Sequence, residues 1–274
     1  MRIALNGATT MRADLATDIQ VAHEAGFDLI EIWAGKLWDY LASHSLSELK
    51  QLFSEHGVAA YSINSLENIT FRSVDDEGDL LDRFRQLCRI AHELECPYIV
   101  AVPSPRPSDV TDETITEESA RVLARLDECA APYGVQVAFE FLGFAGCSVR
   151  TLAHSWEIVK RVNRPTVGLV IDTFHFYVGG SSLASLQMLT PDRIFIVHIN
   201  DAEDRPRAEL EDQHRLLPGR GILPLREIIA GLRSIGYDGV ISVEIFRPEY
   251  WAWDPIRLAT EARLAAESIL LPGQ

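Results

Sequence analysis

Apolar and polar positions along the chain follow two alternating rhythms. Short unbroken apolar runs recur between longer segments in which apolar residues return every three or four positions, the period of an amphipathic helix. The runs predict strands at residues 3–6, 29–33, 59–64, 98–103, 135–140, 167–172, 194–198 and 240–244. The helical rhythm predicts helices at 14–25, 47–56, 79–93, 117–133, 151–162, 182–189, 225–235 and 255–270. Gly26, Gly57, Gly134 and Gly236 stand where four of these helices must stop. Unbroken rather than alternating apolar runs belong to strands covered on both faces, as in parallel sheets. Eight strands alternating with eight helices in 274 residues therefore predict an α/β fold, a (β/α)8 TIM barrel occupying residues 1–274 as a single domain.

A barrel of this kind gathers the carboxyl ends of its strands on one face, where its chemistry sits. Four consecutive predicted strands end in a metal-ligand side chain: Glu140, Asp172, His198 and Glu244. Asp172 alone is equally well explained as the N-cap of a following helix, but Glu and His are poor caps, so the run of four marks a site. Three carboxylates packed together need a counter-charge. One divalent metal ion, with Zn, Mn, Co and Mg equally suited, supplies it and keeps two coordination positions for adjacent oxygens of a substrate. Such an ion polarises a ketone and the neighbouring hydroxyl and stabilises an enediolate. Glu140 and Glu244, from the fifth and eighth strands, then flank the substrate as a catalytic base and acid pair. That arrangement serves aldose–ketose isomerisation, keto–hydroxyl migration and epimerisation alike. His175, three residues beyond Asp172, is placed to donate to a substrate oxygen. Arg215, ahead of Gly219 and Gly221, is placed to reach the bound oxygens, and Trp33 ends the second strand as a substrate-facing aromatic.

Charge narrows the partners. The chain has 25 Lys and Arg against 40 Asp and Glu, a formal net charge of −15. That sign speaks against a nucleic-acid backbone and for a small neutral polyol or sugar. The four cysteines contain no Cys-x-x-Cys pair and are expected to be free thiols. No segment approaches the ~18 apolar residues of a membrane span, and no secretory signal opens the chain, so a cytoplasmic protein is expected. His23, His44, His56, His92 and His154 fall in helices or their flanks and are read as structural. Whether the chain forms a homo-oligomer is left open by the sequence.

With these residues in hand, the chain resembles the xylose isomerase-like barrel family, which includes sugar phosphate isomerases, ketose 3-epimerases and endonuclease IV. The likeness runs nearly end to end and leans toward the inosose isomerase branch. It is carried by Asn-Gly-Ala-Thr-Thr at 6–10, Ala-Val-Pro at 101–103, Pro-Tyr-Gly-Val at 132–135, Phe-His-Phe at 174–176 and Glu-Ile-Phe-Arg-Pro-Glu-Tyr at 244–250. The resemblance implies metal ligation by Glu140, Asp172, His198 and Glu244, proton transfer by Glu140 and Glu244, and substrate contacts from His175, Arg215 and Arg247, although Arg247 has an equal structural alternative in pairing with Glu249 or the barrel rim. It implies an intramolecular oxidoreductase that moves the carbonyl of a cyclic polyol ketone to the adjacent carbon, interconverting 2-keto-myo-inositol and 1-keto-D-chiro-inositol. One departure stands out: Asp212-Gln-His214 resembles the Asp-x-His of a multi-zinc nuclease site. The further histidines such a site needs are missing after the third and fourth strands.

Overall fold

The strands occupy Arg2–Asn6, Leu29–Trp33, Ala59–Leu66, Tyr98–Ala101, Gln136–Glu140, Val167–Asp172, Ile194–Ile199 and Val240–Val243 in a computed structural model that describes residues 1–271. Each pairs in parallel with the next and the eighth closes onto the first, so the predicted eight-stranded barrel forms. The helices pack outside it, burying Ile19, Leu49, Phe84, Leu123, Ile158, Ile228 and Ala262 in one continuous apolar shell. Inside, side chains two residues apart point the same way. Stepping back from Glu140, Asp172 and His198 thus reaches Ala138, Val170 and Ile196, which close the barrel floor beneath the polar groups.

Several boundaries differ from the sequence pattern, each for a local reason. The helix expected from Asp79 spans Val74–Glu93 because Ser73 caps it, accepting from Asp76 N, and Asp75, Asp76 and Glu77 favour its positive end. The helix expected from 117 likewise spans Asp112–Ala130 behind a Thr111 cap. Two helices escaped the pattern, Ala34–Leu41 and the short Thr173–Val178. The latter is capped by Asp172, whose Oδ1 accepts from His175 N at 2.7 Å.

A two-stranded ribbon, Asp201–Ala202 against Arg215–Leu216, was also unforeseen, and it carries Arg215 to the barrel mouth. The loop after it turns back onto the ribbon: Gly221 N and Leu223 N both donate to the Asp201 carboxylate at 2.9 Å. A Cβ at Gly221 would lie 2.0 Å from the Ala202 carbonyl oxygen. The glycine therefore serves the loop's approach to the ribbon. Gly221→Ala is expected to destabilise the fold by about 1–3 kcal/mol, read as a lower denaturation midpoint with an unchanged m-value.

A candidate metal centre at the carboxyl ends of the strands

The barrel register decides what meets at the mouth. Asp172 lies opposite His198, and His198 opposite Ser242. Glu140, Asp172, His198 and Glu244 are all buried, and one ligand atom from each lies within 4.8 Å of the others. His198 Nδ1 faces the carboxylates, 3.1 Å from Glu140 Oε1, 3.3 Å from Glu244 Oε2 and 3.9 Å from Asp172 Oδ2. Among the described residues no other group of His, Cys, Asp or Glu converges in this way. Asp172 satisfies both readings of the sequence at once, because Oδ1 caps a helix while Oδ2 faces the cluster.

Burial and mutual repulsion set the protonation of the group. Burial pushes Glu140 up to about 7, opposed by His198 and reinforced by Glu244 and Asp172. Burial also works to raise Asp172, yet Arg215, His175 and His198 hold it below the usual carboxylate range. His198 would be lowered by burial, but Glu244, Glu31 and Glu140 lift it well above an ordinary imidazole. The carboxylates thus draw a proton onto the ring, the mark of a donor set with surplus negative charge. Three carboxylates and an imidazole with that surplus fit a divalent cation, whose binding would displace protons from Glu140 and His198. Metal affinity is accordingly expected to rise with pH through about 7, where Glu140 loses its proton. Competition titrations with a chelating dye at several pH values check this, and a pH-independent affinity would contradict it.

The surroundings hold the donors in place. Arg215, 1% exposed, donates from Nη1 to Asp172 Oδ2 at 2.7 Å and to Glu244 Oε2 at 3.0 Å. Its Nε and Nη2 reach Asp212 at 3.0 and 2.9 Å, and Phe174 and Phe246 lie against the guanidinium. Nη2 also lies 3.0 Å from His175 Nε2. Since a guanidinium only donates, that ring nitrogen is the acceptor and Nδ1 carries the hydrogen of a neutral His175. Burial, outweighing Asp172, holds His175 below the ordinary imidazole value and keeps it in this form. Asn6 and Asn64 donate to Glu244 Oε1 at 3.2 and 2.7 Å, and Asn200 to Asp172 Oδ2 at 2.8 Å.

A cavity of about 460 Å³ opens above the cluster, and Trp33, Glu140, His175, Arg215 and Glu244 all line it. Phe144 and Phe246 add apolar wall, and Asn64, Glu67, Asn68 and Asp212 add polar groups. Arg247 departs from its expected role. It is absent from the cavity wall and pairs with Glu203 at 2.7 Å and Glu249 at 3.4 Å while lying over the Tyr250 ring. It is a rim tie, held by those two carboxylates. Asp212 and His214 form no second donor set: Asp212 pairs with Arg215, and His214 Nδ1 accepts from Glu211 N at 3.0 Å.

Of the histidines read as structural, His56 and His92 are bonded through Nδ1 to the carbonyls of Leu52 and Tyr133, and His154 to the Thr116 hydroxyl. The four thiols are free. No helix among the described residues is long and apolar enough to cross a membrane. Two features of the site were missed, Glu31 and the ring of asparagines at 6, 64 and 200. Glu31 did signal itself, as a charge in the middle of the buried strand Leu-Ile-Glu-Ile-Trp.

Sequence comparison agrees with this geometry. The pattern of the xylose isomerase-like TIM barrel family matches residues 19–269. The chain belongs to that family. It is 38% identical to an inosose isomerase of Bacillus velezensis over 98% of both chains. It is likewise 38% identical to an inosose isomerase of Bacillus subtilis, covering 92% of this chain and 91% of the relative. Among solved structures, the IOLI protein with a bound zinc atom superposes with a TM-score of 0.96 at 36% identity, covering 98% of each chain. That neighbour holds a zinc atom, and the buried cluster of this xylose isomerase-like barrel could hold one metal ion.

Proposed function

We propose that the protein is an inosose isomerase that interconverts 2-keto-myo-inositol and 1-keto-D-chiro-inositol, using one divalent metal ion held by Glu140, Asp172, His198 and Glu244. The observation that carries this reading is the buried convergence of those four side chains at the base of a cavity, in a chain that is 38% identical over nearly its full length to inosose isomerases. When bound, the ion supplies Lewis acidity toward a ketone and its neighbouring hydroxyl. The protein's own groups do the rest.

The cavity admits a six-membered polyol ring, with Trp33, Phe144 and Phe246 supplying apolar wall for its C–H faces and His175 and Arg215 among the polar residues that line it. One of Glu140 and Glu244 takes the proton from the carbon beside the ketone, and the other delivers a proton to the former carbonyl carbon. The hydroxyl proton passes from the first carbon's oxygen to the second's, so the carbonyl moves by one carbon with no net gain or loss of electrons. No redox cofactor is needed. A cytoplasmic location belongs to the same reading, in keeping with four free thiols.

Nuclear magnetic resonance in deuterated water tests the proposal. Incubation of the metal-loaded enzyme with 2-keto-myo-inositol is expected to yield the neighbouring ketone, with solvent deuterium at the carbon that was the carbonyl. Chelation should stop the reaction. Inversion of a centre without carbonyl movement, or loss of water, would refute it.

A further inference from the structure

Glu31 is fully buried in the barrel, on the second strand, across from the strands that carry the four donors. Its carboxylate is held from three sides. Asn6 and Ser62, its register partners on the first and third strands, both donate to it, and Ser242 Oγ donates to Oε1 at 3.1 Å. The fourth side is His198. Nε2 lies 2.9 Å from Glu31 Oε1, out of line for a full hydrogen bond, and no other group engages that nitrogen. The imidazole therefore separates Glu31 from the other acids, with Nε2 toward Glu31 and Nδ1 toward Glu140, Asp172 and Glu244.

This arrangement divides the barrel. The fifth to eighth strands supply donors, while the first three supply Asn6, Glu31, Ser62 and Asn64, which touch donors or the residue behind them. A carboxylate buried without a Lys or Arg partner is costly to keep, and an apolar residue would fill the position more cheaply unless the charge is used. Behind the distal nitrogen of a ligating imidazole, a carboxylate fixes the ring's tautomer and orientation and strengthens the ligand.

We infer that Glu31 is a positioning residue of the metal centre: it fixes His198 with its Nε2 hydrogen turned inward and Nδ1 presented to the cation, and so sets metal affinity without touching metal or substrate. The inference rests on the proposed ligand set. The Asn6, Ser62 and Ser242 contacts keep Glu31 from swinging into the cluster as a further ligand, which matches its absence from the convergent group.

The test is metal affinity, read by competition titration on the full-length protein with zinc and by the visible spectrum of the cobalt-substituted form. Glu31→Gln is expected to fold, to bind zinc about 10- to 100-fold more weakly and to shift the cobalt bands as the imidazole loosens. Equal zinc affinity and an unchanged cobalt spectrum in a folded Glu31→Gln would overturn the inference while sparing the ligand set. If wild type itself binds neither metal, the ligand set fails and the inference with it. Should Glu31→Gln not fold, Ser242→Ala removes one restraint on the carboxylate and is read identically: weaker zinc binding supports the role, and wild-type affinity removes it.

Discussion

Glu244→Gln is expected to fold as the parent does and to lose isomerase turnover by about 10²- to 10⁴-fold, the usual contribution of one proton-transferring side chain. That range is about 3–5 kcal/mol of barrier. The side chain is pinned at both oxygens, Oε1 by Asn6 and Asn64 and Oε2 by Arg215. A glutamine of the same shape keeps the packing but must set its NH₂ against one of these donors, and it cannot accept a proton. Both consequences fall on the polar cluster and neither on the hydrophobic shell, so circular dichroism should stay near wild type while kcat collapses and stability falls by the roughly 1–3 kcal/mol of one mismatched buried donor. Glu140→Gln is expected to show the same loss through its contact with His198. If either variant retained wild-type turnover with its metal in place, that residue would not be moving the proton.

Arg215→Met should be the most damaging single change to stability. The guanidinium is buried and pairs with Asp172, Glu244 and Asp212. A methionine fills much of the space between Phe174 and Phe246 but leaves two buried carboxylates facing each other without their cation. Breaking one partner of a buried charge network costs about 3–5 kcal/mol. At roughly 2–4 °C per kcal/mol for a chain near this size, the melting temperature should fall by about 6–20 °C. Because the damage is uncompensated charge, excess zinc should recover part of the loss in the variant, whereas a packing defect would not respond to metal. A melting temperature within a degree of wild type would show that the arginine is a replaceable lid residue.

Much of this was legible before any coordinates. The eight strands could be read because a parallel barrel buries both faces of each strand and so writes continuous apolar runs into the sequence. Glu140, Asp172, His198 and Glu244 could be read because each interrupts such a run at its end. Glu31 interrupts one in its middle, and a rule that looks only at strand ends passes over it. The ribbon of Asp201–Ala202 with Arg215–Leu216 was illegible for another reason: two-residue strands carry no period, and only the closed barrel brings their ends together. Arg247 was a substrate contact only by resemblance, and nothing in its local sequence distinguished that role from a pairing at the rim. The chain turns at the barrel rim, and Glu203 holds the side chain there instead. Helix starts at Val74 and Asp112 were placed late because their first turns are acidic, and capping rather than apolar period fixes them.

The central claim is that four side chains from consecutive strands share one divalent ion. Anomalous diffraction at the zinc edge, from crystals of the zinc-loaded protein with stoichiometry measured on the same sample, tests it most directly. One ion per chain is expected, in contact with Glu140, Asp172, His198 and Glu244 and out of contact with Glu31. Peaks at Asp212 and His214 instead, or no peak among the four at saturating zinc, would contradict it.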